Sequence, residues 1–319
     1  MKRLRRKAVD ILLAVFAFPA GALLRRARKG WAHVPLTRKL LRVAGVFPLR
    51  EHYYEPVAFP EDLRRPLSQE RDLPGLDLNL GGQLALLENL RYAEELARFP
   101  LGPVKKSATP RFCYRNGSFE AGDSEVLYSI IRHAKPRRIV EIGSGHSTLM
   151  ARLAIEKNEA EDPDASCRHV CIEPYEQPWL EKTGAEIVRK RVELCSFDLF
   201  DELRENDILF VDSSHVIRPQ GDVLFEVLEV LGRLKSGVLI HVHDIFTPRD
   251  YPDEWVVRDQ KLWTEQYLVE AFLAFNREFS VVAALNHLAN DHRDRLAEVC
   301  PILASEPDAQ PRSLWLKRN

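Results

Sequence analysis

The sequence predicts an α/β protein, with a doubly wound, mostly parallel seven-stranded sheet and a basic, partly helical N-terminal extension. After residue 122, short β-branched segments alternate with segments of helical periodicity, a pattern typical of a sheet covered on both faces. A Gly-Ser-Gly turn at 143–145 follows the first of these strands, as in nucleotide-binding folds. The first fifty residues are different in kind, because they hold thirteen Lys or Arg residues and a single acid, Asp10.

The predicted elements of the sheet region follow one another with short connections. A helix over 123–134, with Asp123 as its N-cap, precedes the first strand. The other predicted helices are 147–157, 220–234 and 263–279. The predicted strands are 138–142, 168–173, 185–188, 207–211, 238–242 and 280–285, and 313–317 is expected to close an edge of the sheet.

Composition divides the chain into three regions. Residues 1–50 form a basic and apolar arm, 51–105 an irregular and helical connecting region, and 106–319 the domain that carries the sheet. In the connecting region only 83–98 has clear helical periodicity, because prolines interrupt the rest. Five cysteines without Cys-x-x-Cys pairing disfavour a disulfide framework and a zinc site, and they favour a reducing, cytoplasmic compartment.

The arm combines a net charge of +12 with an apolar segment at 11–24 (ILLAVFAFPAGALL). As a helix this segment is about 21 Å long, which is shorter than the ~30 Å hydrocarbon core of a bilayer, and Pro19 favours a bend. Three interpretations are open: an interfacial anchor on the anionic inner membrane face, a helix packed on its own domain, and a secretory signal or membrane span. Asp10 and the basic residues that follow disfavour the last. The sequence gives less support to nucleic acid as a partner, because the arm has no recognised binding motif.

The turn after the first strand has the composition of a ligand-binding loop. Gly143 and Gly145 let the backbone turn sharply and approach a ligand that a side chain would block. Ser147 or Thr148 can cap the following helix, whose dipole favours a carboxylate nearby. Glu141, near the end of the strand, is a candidate for holding a ligand ammonium group. Thr148 stands where a dinucleotide fingerprint has its third glycine.

An acidic residue also follows the second strand. Glu173 can accept hydrogen bonds from both hydroxyls of an adenosine ribose, as acids at this position do in other nucleotide folds. Its alternative role is to cap a helix at the surface, since Pro174 follows. The glycine turn and the acid together favour nucleotide-type binding.

Histidines and aspartates follow the fourth and fifth strands. Asp212 and His215 come after the fourth strand, and His241, His243 and Asp244 lie at the end of the fifth. Strand alternation places His241 and His243 on the same face. Because neighbouring parallel strands end at the same edge of the sheet, Asp212, His243 and Asp244 are expected to converge beside the ligand.

These segments, in this order, resemble the bacterial class I methyltransferases of the methyltransferase 24 family. The resemblance covers 119–279 and rests on five segments: FEAGD (119–123), RIVEIGSGHST (138–148), IEP (172–174), DILFVDSSH (207–215) and GVLIHVHDIF (237–246). It implies the Rossmann-like methyltransferase fold and S-adenosylmethionine as the cofactor.

The resemblance also implies how the cofactor lies. The glycine turn would contact its methionine part, Glu173 would hold its ribose, and the adenine would lie near 193–196, where the acid common in the family is absent. With the residues argued above, the predicted cofactor site comprises Glu141, Gly143, Ser144, Gly145, Ser147, Glu173 and Asp212.

Similar metal-dependent O-methyltransferases hold a magnesium ion with carboxylates at the ends of the fourth and fifth strands. Here the candidate metal ligands are Asp212, His243 and Asp244, although magnesium prefers oxygen ligands. Three alternatives are open: another divalent ion, His215 or His243 as a general base without a metal, and a structural pair of histidines. The candidate catalytic residues are therefore Asp212, His215, His243 and Asp244.

The predicted activity is O-methylation of a small-molecule, glycan or lipid-linked acceptor by a cytoplasmic enzyme, peripheral at the inner membrane face through residues 1–50. Two alternatives are an NAD(P)-dependent Rossmann oxidoreductase and a membrane-associated binding protein that keeps the fold without the activity. Two loops are also of interest. The segment 50–56 is a surface loop or a lid over the substrate, and 247–255 is a lid or a rigid crossover held by its prolines.

Overall fold

The structure is a computed structural model that describes residues 2–103, 110–162, 164–175 and 177–319. The chain forms two compact units, Met1–Arg64 with Val256–Leu262 and Arg65–Trp255 with Trp263–Asn319. The sheet and the predicted site residues all belong to the second unit. The boundary predicted at residues 105 and 106 lies outside the described residues.

The first unit contains two helices, α1 (Lys2–Lys29) and α2 (Pro35–Val43). Helix α1 continues through Pro19, so the apolar segment and the basic residues after it belong to one helix. In the part of the chain that the structure describes, no helix combines the length and apolar character needed to cross a bilayer.

The loop at 50–56 is held within the first unit by an ion-pair cluster. Arg28 forms a bidentate pair with Glu55, at 2.9 and 2.7 Å, and Arg50 joins the same carboxylate at 3.3 Å. Tyr53 and Tyr54 are exposed and pack against each other, with ring centroids 4.1 Å apart. These contacts favour the surface-loop interpretation.

The second unit contains a seven-stranded sheet in the order β3-β2-β1-β4-β5-β7-β6, which confirms the predicted fold class. The first five strands are parallel, and β7 is antiparallel to both of its neighbours. The strands are β1 (Arg138–Ile142), β2 (Arg168–Ile172), β3 (Glu186–Val188), β4 (Ile208–Val211), β5 (Leu239–Val242), β6 (Phe279–Ala284) and β7 (Leu314–Arg318).

The last strand is not at an edge, contrary to the prediction for 313–317. It lies between β5 and β6, and β6 forms the edge. Leu314, Trp315 and Leu316 are all buried although successive side chains point to opposite faces. Burial on both faces is the environment of an interior strand, which explains the continuous apolar run.

Ten α-helices accompany the sheet among the described residues of this unit. They are α3 (Leu80–Asn89), α4 (Ala93–Leu96), α5 (Asp123–Ala134), α6 (His146–Glu161), α7 (Asp198–Asp201), α8 (Asp222–Leu224), α9 (Glu265–Leu273), α10 (Leu285–Asp291), α11 (Arg293–Val299) and α12 (Pro301–Ser305). Helix α8 continues as a π-helical turn over Phe225–Val230.

Two predicted helices were too long. The segment predicted as one helix over 83–98 is divided into α3 and α4, between which Leu90 turns inward and is buried. The helix predicted to reach 279 ends at Leu273, because Phe275 adopts a left-handed conformation (φ +60°) that a helix cannot continue through.

The N-cap of α5 also differs from the prediction. Gly122 is the cap, and its backbone N–H donates to Glu125 at 2.9 Å. Asp123 is the first helical residue, and its carboxylate instead accepts hydrogen bonds from Arg312 N and Ser313 Oγ. The acid therefore joins α5 to the chain entering β7.

Strand alternation separates two hydrophobic cores. Ile139 on β1 belongs to the core under α5 and α6, whereas Val140 and Ile142 belong to the core under the π-helical turn Phe225–Val230 and α9. This arrangement leaves the carboxyl ends of β1, β2, β4 and β5 at one edge of the sheet, where polar side chains collect.

At the other end of the parallel strands, where the chain enters β1 and β4, a buried carboxylate holds the backbone in place. Asp207 accepts hydrogen bonds from the backbone N–H groups of Arg137, Arg138 and Arg204, at 3.0, 2.8 and 2.9 Å.

We expect Asp207→Ala to lower the free energy of unfolding by about 2–4 kcal/mol, because it leaves buried donors unpaired. Urea denaturation measures the change, and Asp164→Ala, at an exposed aspartate, is the control. Equal midpoints for the two variants would contradict this role.

Candidate functional site

Two adjoining cavities lie at the carboxyl ends of β1, β2 and β4, and they share Gly143, Glu173 and Asp212 in their linings. The smaller, of about 200 Å³, extends along the glycine turn to Ser147 and reaches Phe119. The larger, of about 430 Å³, extends beyond the end of β2. We call the two cavities together the cleft. Its position is the one that open α/β sheets use for ligands.

The two glycines of the turn have different roles. Gly143 has a φ of +73°, and a Cβ there would overlap the backbone carbonyl oxygen of Asp212. Gly145 has an extended φ, and a Cβ there would meet only open space. Gly143 therefore allows the turn itself, whereas Gly145 leaves room along the lining of the cleft.

Helix α6 begins where the turn ends, and its first residues line the smaller cavity. Thr148 Oγ1 accepts a hydrogen bond from Gly145 N at 3.0 Å, which fixes the turn to the helix. The unpaired amides and the dipole at a helix N-terminus favour an anionic group. A cofactor carboxylate is expected to lie here.

Glu141 is not among the residues that line the cleft. Its buried carboxylate accepts hydrogen bonds from Ser147 Oγ at 2.6 Å and Thr148 Oγ1 at 3.0 Å, and it lies 2.8 Å from His169 Nε2. Ser147 lines the cleft, but its hydroxyl is committed to Glu141. The position of Glu141 suits it to holding the first turn of α6 in place rather than to binding an ammonium group.

Sequence reasoning missed this cluster beneath the turn, although a signal for it was present. Cys171 on β2 pairs in register with Glu141 on β1, and alternation places His169 on the same face as Cys171. Three polar residues on the buried face of neighbouring strands indicate mutual hydrogen bonding.

Glu173 lies where its predicted role requires. It lines both cavities, and its carboxylate accepts hydrogen bonds from Tyr175 N at 2.8 Å and Ser144 N at 3.4 Å. These backbone donors orient the carboxylate at the junction of the cavities. Of the stretch predicted near the adenine, Glu193 lines the larger cavity, together with Val192.

Beside the cleft, four side chains form a largely buried charged cluster. His215 lies between carboxylates, with Nδ1 2.7 Å from Glu265 Oε2 and Nε2 3.2 Å from Asp212 Oδ1. Asp244 Oδ2 is 3.5 Å from the same Nε2. We call Asp212, His215, Asp244 and Glu265 the acid–histidine cluster. Asp212 is its most exposed side chain, at 32% against 6% for His215, and it lines both cavities.

The contacts within the cluster set the charges of His215 and Asp212. Burial lowers the pKa of His215, but hydrogen bonds with Asp212 and Glu265 outweigh it and raise the pKa well above its usual value. Burial opposes ionisation of Asp212, but the charges of His243 and His215 and the hydrogen bond from His215 lower its pKa to about 2. At neutral pH the cluster therefore holds an imidazolium beside an ionised Asp212.

The two histidines of β5 share a face, as predicted, but they lie deeper than the cluster. The rings of His241 and His243 stack with centroids 5.5 Å apart, and His241 also stacks on Phe210. Burial, and then the nearby His243, lowers the pKa of His241 well below its usual value. His243 Nε2 is 3.7 Å from Asp244 Oδ1, too far for a hydrogen bond. This pair is mainly part of the packing.

The predicted metal ligands are not brought together as a set. Asp212 and Asp244 approach each other around His215 rather than His243. Arg312 forms an ion pair with Asp244, so this carboxylate already has a cationic partner. Asp212, His215 and Asp244 offer ligand atoms within 4.8 Å of one another, but the guanidinium of Arg312 competes with any divalent ion for Asp244.

The segment 247–255 is anchored at several points. Arg249 pairs with Asp291 at 3.0 Å and with Glu70 at 3.1 Å. Tyr251 is buried, and its hydroxyl accepts a hydrogen bond from Gln266 N at 3.1 Å. These contacts favour a rigid crossover over a mobile lid.

A glycine turn, an acid after the second strand and a cleft at the strand ends define a Rossmann-like enzyme that binds a nucleoside cofactor. A family model described as a methyltransferase domain matches residues 140–245. An uncharacterised protein of Archaeoglobus fulgidus is 30% identical over 177 residues, which is 52% of this chain and 77% of that protein. The O-methyltransferase of Bacillus cereus in complex with SAH has a TM-score of 0.37 and 12% identity, over 75% of this chain and 91% of that chain.

The chain belongs to this methyltransferase family, and it is an S-adenosylmethionine-dependent methyltransferase. The predicted class and cofactor are thereby confirmed. The nicotinamide-dependent oxidoreductase considered from the sequence is disfavoured. The roles of individual residues toward the cofactor stay predictions.

The two glycines provide a matched test of the cleft. We expect Gly145→Val to keep the wild-type thermal midpoint but to abolish measurable S-adenosylmethionine binding, because the side chain enters open space along the lining. Gly143→Val is expected to prevent folding, because it combines backbone strain with overlap at Asp212. Titration calorimetry measures the affinity of each variant, and thermal unfolding measures its midpoint. Wild-type affinity in Gly145→Val would remove the turn from the cofactor site.

Glu173→Ala is expected to weaken S-adenosylmethionine binding by about 1–3 kcal/mol, the usual scale for losing charge-assisted hydrogen bonds. Glu156→Ala, at an exposed position on α6, is the control and should bind as the wild type does. Titration calorimetry gives both dissociation constants. If the two variants bind equally well, Glu173 does not hold the ribose.

Proposed function

We propose that the enzyme transfers the methyl group to a hydroxyl oxygen without a metal ion, and that Asp212 contacts this hydroxyl. One observation carries the proposal: Asp212 is the member of the acid–histidine cluster that lines both cavities, and its carboxylate is held by His215, which Glu265 anchors in turn. An acceptor beside Asp212 would lie next to the cofactor.

In the proposed reaction the acceptor oxygen attacks the methyl carbon in line with the departing sulfur. A carbon–oxygen bond forms, the carbon–sulfur bond breaks, and the sulfonium becomes a neutral thioether. The hydroxyl proton becomes strongly acidic as the oxygen acquires the methyl group, so a weakly basic carboxylate is sufficient to accept it. Asp212 takes this proton and passes it to solvent, while positioning of the acceptor supplies most of the rate gain.

The proposal favours one of the alternatives left by the sequence. His215 is a positioning residue rather than a base, because three carboxylates surround it and hold its proton. His243 is not the base, since its ring is buried against Phe119 and His241. Asp244 is committed to Arg312 and helps to hold the imidazolium.

The acceptor is proposed to be a small molecule with a ring face, such as a glycan or a lipid-linked sugar. Support comes from aromatic side chains beside the cluster. The rings of Trp263 and His215 pack with centroids 4.2 Å apart and planes tilted by 38°, and the ring of Trp255 meets that of Trp263 edge to face with centroids 4.8 Å apart. The Arg312 guanidinium lies 5.4 Å from the Trp255 ring. Flat aromatic surface beside a cation suits a ring that carries an anionic substituent. Labelled S-adenosylmethionine incubated with glycan and lipid extracts identifies the acceptor class.

Asp212→Asn is expected to reduce kcat at least a hundredfold, because the amide cannot accept the proton, while the affinity for S-adenosylmethionine changes little. Asp201→Asn, at a partly exposed aspartate on α7 that lines neither cavity, is the control. Steady-state kinetics with the identified acceptor and calorimetry with the cofactor measure the two effects. Full turnover in Asp212→Asn would show that the cluster is structural. A wild-type protein that binds the cofactor but transfers no methyl group to any acceptor would favour a binding protein.

The pH dependence separates a positioning imidazolium from a basic histidine. Because the pKa of His215 is raised, its proton persists through neutral pH and is lost only at higher pH. We expect kcat to be constant near neutral pH and to fall as pH rises through that pKa, and chelators to have no effect. A general-base histidine would instead give activity that rises with pH, and a catalytic metal would give activity that chelators abolish.

A further inference from the structure

The middle of α1 exposes large apolar side chains to solvent. Eight of them are between 55 and 86% exposed: Val9, Ile11, Leu12, Leu13, Val15, Phe16, Phe18 and Leu23. Such a continuous apolar surface is rare on a protein that remains in water, and it marks a binding surface.

The exposed apolar side chains of α1 are spread over about 220° of its circumference, at about 100° per residue. Apart from the half-buried Leu24, the remaining arc carries small and charged residues: Lys7, Asp10, Ala14, Ala17, Gly21, Arg25 and Arg28. A coiled-coil partner would cover a narrower stripe. A wide apolar arc with a narrow polar stripe suits a helix lying in the interface of a bilayer.

Helix α2 has a similar division on a smaller scale. Its exposed apolar residues, Leu36, Leu40 and Val43, follow one another at helical spacing and share a face. Its basic residues lie on a different part of the circumference, and they are Arg38, Lys39 and Arg42. The two helices thus combine apolar surface with positive charge.

The positive charge of the arm distinguishes between two possible partners, a second copy of the arm and a lipid surface. The first fifty residues carry a net charge of +12, so two copies of the arm repel each other, whereas an anionic lipid surface attracts it. The apolar length between the basic clusters, about 21 Å at 1.5 Å per residue, is too short to span the hydrocarbon core.

We propose that α1 and α2 dock on the surface of an anionic phospholipid bilayer. The apolar arc of α1 and the apolar face of α2 enter the headgroup region, and the basic residues contact lipid phosphates. The inference concerns the first unit alone, and it stands whether or not the proposed methyl acceptor is correct.

The test is co-sedimentation of the full chain with vesicles, in the absence of cofactor and acceptor. Vesicles of phosphatidylcholine with one-third phosphatidylglycerol are compared with vesicles of pure phosphatidylcholine. We expect at least tenfold stronger partitioning to the anionic vesicles, weakened by high salt. Leu12→Glu/Phe16→Glu is expected to abolish it, whereas Leu228→Glu, at an exposed leucine of the second unit, retains it.

The thermal midpoint of each variant shows that it is folded, and sedimentation velocity reports its mass. Equal partitioning of Leu12→Glu/Phe16→Glu and the wild type would overturn the proposal. So would equal binding to both kinds of vesicle, or no binding to either. A wild-type dimer that Leu12→Glu/Phe16→Glu dissociates, without vesicle binding, would identify a second copy as the occupant and would also overturn it.

Discussion

The turn after β1 passes directly against the end of β4, and the cleft depends on this contact. Gly143 makes it possible, because a side chain there would overlap the carbonyl of Asp212. Backbone hydrogen bonds continue past the strand ends on both sides, from Gly143 N to Ile172 O and from Asp212 N to Ile142 O. The ends of β1, β2 and β4 are therefore held together without side chains between them, which leaves the space above them for a ligand.

The same contact fixes Asp212 at the boundary between the cleft and the acid–histidine cluster. Buried carboxylates persist only where they are paired, and here the imidazolium of His215 and the guanidinium of Arg312 supply the partners. Burial, and then the charge of Glu265, raise the pKa of the nearby Glu226 well above its usual value.

Local sequence patterns were sufficient for most of the sheet. Alternation and β-branching located the strands to within a residue or two, and the glycine turn located the cleft, because the conformation at Gly143 has a steric cause. The position of β7 could not be predicted, since pairing between distant strands leaves no local pattern. The early ends of the helices depended on tertiary packing, as at Leu90, rather than on helical periodicity.

The strand pattern also located part of the candidate site. Glu173 and Asp212 follow strands, so topology alone brings them to the cleft. Glu265 and Arg312 were missed because they are fifty or more residues from the histidine and aspartates that they contact, at the start of α9 and before β7. Glu141 was assigned from its position in the motif, but alternation turns its carboxylate toward His169, beneath the turn.

Hydrogen exchange with S-adenosylhomocysteine tests most directly whether the cleft binds the cofactor. Saturating ligand is expected to slow amide exchange at 143–147, 173–175 and 191–193, which line the two cavities. Exchange at 75–79 and 277–281, which line a separate cavity of about 490 Å³, should not change. Protection confined to this second set, with none along the glycine turn, would contradict the location of the cofactor and with it the role given to Asp212.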